Sequence, residues 1–232
     1  MIRRSQNRQD ALKKHSALVS SSPSLLIFDC DGVLVDSEDL SARLLLEAAR
    51  EYGPLAMEPS EAIHLFRGRK MAECVAILSE RLGRPLPEDF TPRFRTRQAE
   101  VFRRELKPIP GVSEALRQIT IPMCVASNGP REKIALALSV TGLLPFFEDR
   151  IFSSYELGTW KPDPGVFLHA ASKSGVAPTN CAVVEDSVLG VRAGLAAGMP
   201  VFGYIAAGDG PEFHLPGVTR FDRMAELPGL LR

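Results

Sequence analysis

Four short apolar runs each stop abruptly at a polar or acidic residue. Leu25-Leu26-Ile27-Phe28 runs into Asp29, and Pro122-Met123-Cys124-Val125-Ala126 ends at Ser127. Arg150-Ile151-Phe152 ends at Ser153, and Cys181-Ala182-Val183-Val184 ends at Glu185-Asp186. A fifth run spans 200–204. Short uninterrupted runs of this kind are of strand type. Between the later ones the pattern predicts helices from Ser113 to Ile119, Glu132 to Ser139 (stopped around Gly142), Asp163 to about Ser172, and Val188 to Ala197. Regular alternation of strand and helix predicts an α/β fold, a doubly wound parallel sheet.

One stretch breaks the alternation. After the first strand, Leu40, Leu44, Ala48 and Tyr52 recur at spacings of four, with Ser37 or Asp36 placed to cap a helix and Gly53-Pro54 to stop it. Met71 to Leu82 reads as a second helix, ending near Gly83. A third starts with Thr91 as cap and Pro92 at its first position and runs to about Leu106. Its Arg93, Arg95, Arg97, Arg103 and Arg104 read as a solvated face. Pro108 to Val112 reads as a return linker. The chain thus divides into a core of residues 25–37 and 109–232 and an all-helical insert of residues 38–108.

In parallel α/β sheets, ligands bind beyond the carboxyl ends of the strands. Asp29, Ser127, Lys161 and Asp186 all fall at or just after such ends. If the strand continues through Asp31, the carboxylates of Asp29 and Asp31 face one small volume, because alternate residues point the same way. Two crowded anions repel unless a cation lies between them or one takes a proton. That pairing suits a metal-assisted nucleophile with an acid beside it. An acidic turn is the alternative for this segment alone, but the other three coincidences favour one shared site.

The ordered set Asp29-Cys30-Asp31-Gly32-Val33-Leu34, Ser127-Asn128, Lys161-Pro162 and Glu185-Asp186-Ser187 resembles the haloacid dehalogenase superfamily, specifically its phosphatases and mutases related to β-phosphoglucomutase. The resemblance covers residues 24–232. Three further segments are similar to the bacterial 6-phosphogluconate phosphatases: Ala126 to Pro130, Phe152 to Tyr155, and Trp160 to Pro164. The resemblance implies a Rossmann-like core with a mobile helical cap hinged near Glu38 and Pro108. It implies Mg²⁺-dependent hydrolysis of a small phosphorylated sugar or sugar acid, 6-phosphogluconate first, through an aspartyl-phosphate.

The same resemblance distributes the roles. Asp29 is the expected nucleophile. Asp31 is the acid and base, with a raised pKa. Ser127 and the Asn128 backbone N–H hold phosphate oxygens, and Lys161 neutralises charge. Mg²⁺ falls to Asp29, the Asp31 carbonyl and Asp186, with Glu185 in contact or one step removed. The cap segment Phe66 to Met71 carries three cations around Gly68. Lys70 first and Arg67 second are the expected partners of a substrate carboxylate, with Arg69 solvated. The mutases carry a histidine where this chain has Ser41, and an arginine where it has Met71. That favours hydrolysis over the mutase reaction, the main alternative. A phosphatase of broader specificity is another. Dehalogenation, or a binding protein without turnover, fits the intact acid pair poorly.

Composition narrows the picture further. Formal net charge is zero, so no global field favours nucleic acid or an anionic membrane. No apolar run approaches the roughly 20 residues that span a bilayer. The four cysteines lack zinc-site spacing, and Cys30, Cys124 and Cys181 lie in or beside apolar strands. Buried thiols suit a reducing cytoplasm. Residues 1–24 form a basic tail without the apolar centre of a secretory signal. His15, His64, His169 and His214 fall outside the motifs. Asp36 and Asp163 read as helix caps, Glu185 has a turn role as its alternative, and the oligomeric expectation is a monomer or weak dimer.

Overall fold

Residues 22–206, 208 and 210–231 are described by the structure, a computed structural model. The expected basic tail lies outside the described residues up to residue 21. Six strands form one parallel sheet: β1 Leu25–Phe28, β2 Met123–Ser127, β3 Ile151–Ser153, β4 Cys181–Glu185, β5 Val201–Tyr204 and β6 Val218–Phe221. Their order is β3-β2-β1-β4-β5-β6. The chain winds to one side of β1 and then to the other, so the crevice between β2, β1 and β4 opens at their carboxyl ends.

Alternation along the strands sorts their side chains into two cores. Leu26, Phe28, Val125 and Val184 enter one, whereas Leu25, Ile27, Cys124 and Val183 enter the other. Phe28 pairs in register with Val125 and Val184, so one layer of large side chains runs across three strands. Every residue of β1, β2 and β4 is buried. This is why the sequence shows continuous apolar runs rather than alternation. β6 was not expected. It lies at the sheet edge with Thr219 and Arg220 exposed, so it carries neither an apolar run nor a covered face.

The insert holds four helices: α1 Glu38–Arg50, α2 Pro59–Phe66, α3 Met71–Leu82 and α4 Phe90–Glu105. α2 escaped the sequence reading; it is eight residues long and buries only Ala62 fully. α4 begins at Phe90, ahead of Thr91, so Thr91 is not its cap. Ser37 does occupy the capping position of α1, but its side chain makes no cap bond; its hydroxyl is used elsewhere. Leu44, Leu78, Phe94 and Phe102 from the insert join Phe28 and Leu34 in one continuous apolar cluster. Burial of side chains this size stabilises by roughly 1.5–3 kcal/mol each, so the insert is packed onto the core.

Four longer helices flank the sheet: α5 Val112–Gln118, α6 Arg131–Val140, α7 Gly165–Lys173 and α8 Val188–Ala196. Cys30, Cys74, Cys124 and Cys181 are free and buried. Burial pushes the Cys124 thiol up to about 12 and Cys181 up to about 11, which leaves both inert near neutral pH. Among the described residues, no helix is long and apolar enough to cross a membrane.

Candidate active site

β1 ends at Phe28 rather than running on to Asp31. The Asp29 N–H still bonds the Val184 carbonyl at 2.9 Å, which holds the backbone beside β4 for one more residue. The chain then turns, and a bridge between Asp31 and Val35 closes the turn. Gly32 makes this possible. Its φ is +74°, and a Cβ there would stand 2.2 Å from Oδ2 of Asp186. Asp29 and Asp31 both line one cavity of about 400 Å³ between the sheet's carboxyl ends and the insert.

Each carboxylate has its own cation. Lys161 Nζ donates to Asp29 Oδ1 at 2.7 Å and to Glu185 Oε1 at 2.6 Å, and all three residues are buried. Burial works against the ammonium, but its two acids hold its pKa above the ordinary lysine value. Burial pushes Asp29 up to about 7; Lys161 pulls against this, and Glu185 and Asp31 add to it. Asp31 behaves in the opposite way. Burial would raise its pKa, but Lys133, Ser37 and Lys161 together bring it below the usual carboxylate value. Lys133 Nζ donates to Asp31 Oδ2 at 2.5 Å, and Ser37 Oγ donates to Asp31 Oδ1. The expected raised pKa at Asp31 is therefore corrected, because a lysine absent from the sequence motifs neutralises it.

Glu185 is completely buried, and both its oxygens are engaged. Oε1 takes Lys161, while Oε2 accepts from the Asp186 N–H at 3.0 Å, the Ser187 N–H at 2.9 Å and Ser187 Oγ at 3.0 Å. Asp186 differs. Its Oδ2 is buried and, among the described residues, accepts no hydrogen bond, although Arg67 Nε lies 3.7 Å away. Burial, then Glu38, Glu185 and Asp29, raise the Asp186 pKa well above its ordinary value. Carboxylate oxygens of Asp29, Glu185 and Asp186 lie within 4.8 Å of one another. An unsatisfied hard oxygen in such a cluster fits a small divalent cation. Asp29 and Asp186 have capacity to ligate it; Glu185 is better placed to orient Lys161 and the 186–187 turn.

Ser127 and Asn128 end β2 at the cavity wall. Ser127 Oγ accepts from the Gly129 N–H at 3.1 Å. The Asn128 side chain ties three segments together. Its Oδ1 accepts from Ser154 Oγ and from the Lys161 N–H, both at 2.9 Å, and Nδ2 donates to the Gly68 carbonyl at 2.9 Å. One amide thus fixes the lysine loop and anchors the insert to the core. Asp163 accepts from the Gly165 N–H at 2.7 Å, but Pro164 holds the capping position of α7, so the expected cap is a local turn instead.

The expected carboxylate partners sit differently. Lys70 does not line the cavity; its ammonium stands 5.0 Å from the centre of the Trp160 ring and 3.7 Å from Glu73. Arg67 does line it, but its Nε bonds Glu38 Oε2 at 2.6 Å. Arg95 and Arg103, expected on a solvated face, stand at the cavity instead. Lys133 was missed as well. Its one sequence signal is a cation in the first turn of α6, where the helix dipole disfavours positive charge. Histidine is absent from the described cavity lining. Ser41, at the mutase histidine position, accepts a hydrogen bond from Gln98 Nε2 at 3.0 Å.

A family model for haloacid dehalogenase-like hydrolases matches residues 23–198. The chain is 38% identical over 206 residues to the 6-phosphogluconate phosphatase of Escherichia coli strain K12, covering 88% of this chain and 93% of that protein. It is 30% identical over 215 residues to a phosphorylated carbohydrates phosphatase of Thermotoga maritima, covering 89% and 97% respectively. Among solved structures, a hydrolase of the same family from Deinococcus radiodurans, crystallised with phosphate and sodium, superposes with a TM-score of 0.73. It is 30% identical, over 91% of this chain and 96% of that one.

Proposed function

This chain belongs to the haloacid dehalogenase-like hydrolases, and we propose that it is a phosphatase of small phosphorylated sugars or sugar acids, with 6-phosphogluconate its first substrate. The observation that carries this reading is the Asp29 carboxylate, poised at the end of β1 between the Lys161 ammonium and the unsatisfied Asp186. The names of the Escherichia coli and Thermotoga relatives support the substrate class.

Phosphoryl transfer depends mainly on positioning and on neutralising charge on the transferred oxygens. Asp29 attacks phosphorus, the bond to the sugar oxygen breaks, and an aspartyl-phosphate forms. Asp31 delivers a proton to the departing oxygen and later takes one from the water that attacks phosphorus, as the bond to the Asp29 oxygen breaks and inorganic phosphate leaves. Since Lys133 and Ser37 hold Asp31 anionic, it takes up a proton from solvent as the phosphate enters and competes for Lys133. Ser127 Oγ and the Asn128 N–H hold phosphate oxygens, and Lys161, steadied by Glu185, balances the charge on Asp29. Mg²⁺ would be held by Asp29, Asp186 and the Asp31 carbonyl, and when bound it supplies positive charge to the phosphate oxygens.

Hydrolysis is favoured over the mutase reaction because Ser41 cannot serve as an acid or base near neutral pH. Residues 38–108 act as a cap that opens for substrate exchange. Four buried free thiols support a reducing, cytoplasmic setting. Phosphate release from 6-phosphogluconate, with Mg²⁺ and after chelation, tests the reading. Release that needs the metal supports it; no release from any sugar phosphate overturns it.

A further inference from the structure

α4 turns one face into the cavity. Phe94, Arg95, Gln98 and Phe102 recur at helical spacing and all line it. Phe94 and Phe102 are apolar wall. Of the polar residues that α4 brings to the cavity, Arg103 is exposed, and Arg95 and Gln98 are each incompletely satisfied.

Gln98 is only 6% exposed. Its Nε2 donates to Ser41 Oγ at 3.0 Å, while among the described residues no group donates to its Oε1. The buried side-chain atoms without a partner among the described residues are Thr159 Oγ1, Trp160 Nε1 and Asp186 Oδ2, so Gln98 Oε1 is not sealed in; it belongs to a side chain that lines the cavity and is open to a donor from there. Ser41 lines it too and accepts from Gln98, so its own hydrogen is free to donate elsewhere. The pair therefore presents one acceptor and one donor side by side, which complements the hydroxyl groups of a polyol chain.

Arg95 is half-buried. Its Nη2 donates to the Tyr155 hydroxyl at 2.9 Å, and its guanidinium lies 5.0 Å from the centre of that ring. Among the described residues no carboxylate pairs with it. Its neighbours on α4 differ: Arg97 pairs with Glu47 and Glu51, and Arg93 with Glu51. The other half-buried or buried cations of the cavity are also paired, Arg67 with Glu38, Lys133 with Asp31, and Lys161 with Asp29. A guanidinium pinned by a tyrosine, with N–H donors left over and no acid beside it, is preorganised for a carboxylate.

We infer that α4 reads the part of the substrate remote from phosphorus: Arg95 pairs with the carboxylate of a sugar-acid phosphate, and Gln98 with Ser41 bonds its chain hydroxyls. The inference rests on the phosphatase reading above and deepens it. It moves carboxylate recognition from Lys70, outside the cavity, and Arg67, already paired with Glu38, to Arg95.

The test uses the full chain with Mg²⁺ and three substrates: 6-phosphogluconate, glucitol 6-phosphate (the same chain ending in an alcohol) and p-nitrophenyl phosphate. The wild type prefers the acid to the alcohol. Arg95→Gln lowers kcat/KM for 6-phosphogluconate roughly 10- to 100-fold, mainly through KM, and lowers the other two far less. Arg95→Lys recovers part of the loss. Gln98→Leu lowers both six-carbon substrates together and has a much smaller effect on p-nitrophenyl phosphate. An unchanged acid-to-alcohol ratio in Arg95→Gln, or an equal loss on all three substrates, overturns the inference and leaves the phosphatase reading standing. A wild type without preference for the acid also overturns it, while a wild type inactive on every sugar phosphate overturns the reading beneath it.

Discussion

The ammonium of Lys133 holds Oδ2 of Asp31 at 2.5 Å, joining the first turn of α6 to the turn after β1. Lys133 also stands 5.9 Å from the centre of the Phe102 ring on the insert. The contact sets the charge of Asp31 and lies where core and insert meet. Lys133→Met leaves the half-buried Asp31 with Ser37 as its remaining side-chain partner. The Asp31 pKa then rises, because burial is no longer offset. The acid limb of the kcat profile, where Asp31 must be ionised to take a proton from water, moves to higher pH. Folding stability falls by roughly 1–3 kcal/mol near neutral pH. The sign follows from linkage: a carboxylate with a depressed pKa contributes stability above its unfolded pKa and loses it as pH falls through the folded value. Thus the stability gap between wild type and variant narrows in acid. An unmoved acid limb would contradict this.

Two glycines are fixed by what stands against them. A Cβ on Gly190 would meet Glu185 at 1.8 Å, and one on Gly32 would meet Asp186 at 2.2 Å in a residue with φ of +74°. Glu185 cannot retreat without breaking its bonds to Lys161 and to the 186–187 turn, and at Gly32 the positive φ adds backbone strain to the clash. Gly190→Ala displaces the carboxylate that orients Lys161; Gly32→Ala displaces Asp186 and strains the turn. Each is expected to cost about 1–3 kcal/mol in stability and more than tenfold in kcat. Gly142→Ala, where a Cβ meets no atom within 4 Å but φ is +72°, carries only the backbone strain and leaves kcat unchanged. Thermal melts and kcat of the three variants check the distinction, and a fully active Gly190→Ala protein would contradict it.

Metal binding competes with protons at this site. Burial pushes Asp29 up to about 7 and raises Asp186 well above its ordinary value. A raised carboxylate holds its proton to higher pH, and that proton must leave before the oxygen can ligate. Mg²⁺ affinity is therefore weaker at pH 6 than at pH 8, with proton uptake by the buffer on binding. Calorimetry in two buffers of different ionisation enthalpy measures both effects. Equal affinity across this range would show that the acids are already ionised.

Residues placed by strand geometry were legible in the sequence, and residues placed by docking were not. Asp29, Ser127 and Glu185-Asp186 end buried parallel strands, and an apolar run that stops at a polar residue marks such an end directly. Arg95 and Gln98 lie on α4, and their place in the site depends on how the insert sits over the sheet; Lys133 lies on α6 of the core and meets Asp31 only through the packing of that helix against the turn after β1. No spacing in the chain encodes that. Ser37 shows the same limit: its position reads as a helix cap, yet its hydroxyl bonds Asp31. The edge strand β6 and the short α2 were missed because neither buries a full face.

Asn128 carries a prediction about the link between insert and core. Its amide bonds Gly68 on the insert and the Lys161 N–H in the core. Asn128→Asp keeps the acceptor but removes the donor to Gly68 and adds negative charge beside the phosphate site. The expected outcome is a higher KM for every phosphate ester together with greater proteolytic sensitivity of residues 66–70. Asn128→Ala also loses the bond to the Lys161 backbone, so its kcat falls further. Kinetics and limited proteolysis of the two variants test the order, and equal kcat in both would contradict it.

The central claim is that Asp29 is the nucleophile. The direct measurement is phosphate release by Asp29→Asn, with folding checked by its melting transition and phosphate binding by calorimetry. Lys161 keeps its bond to Glu185 in this variant, and the side-chain volume barely changes, so the fold and the phosphate site survive. The expected result is a folded protein that binds phosphate and releases none from 6-phosphogluconate above background. Release near the wild-type rate by a sequence-verified Asn variant would contradict it.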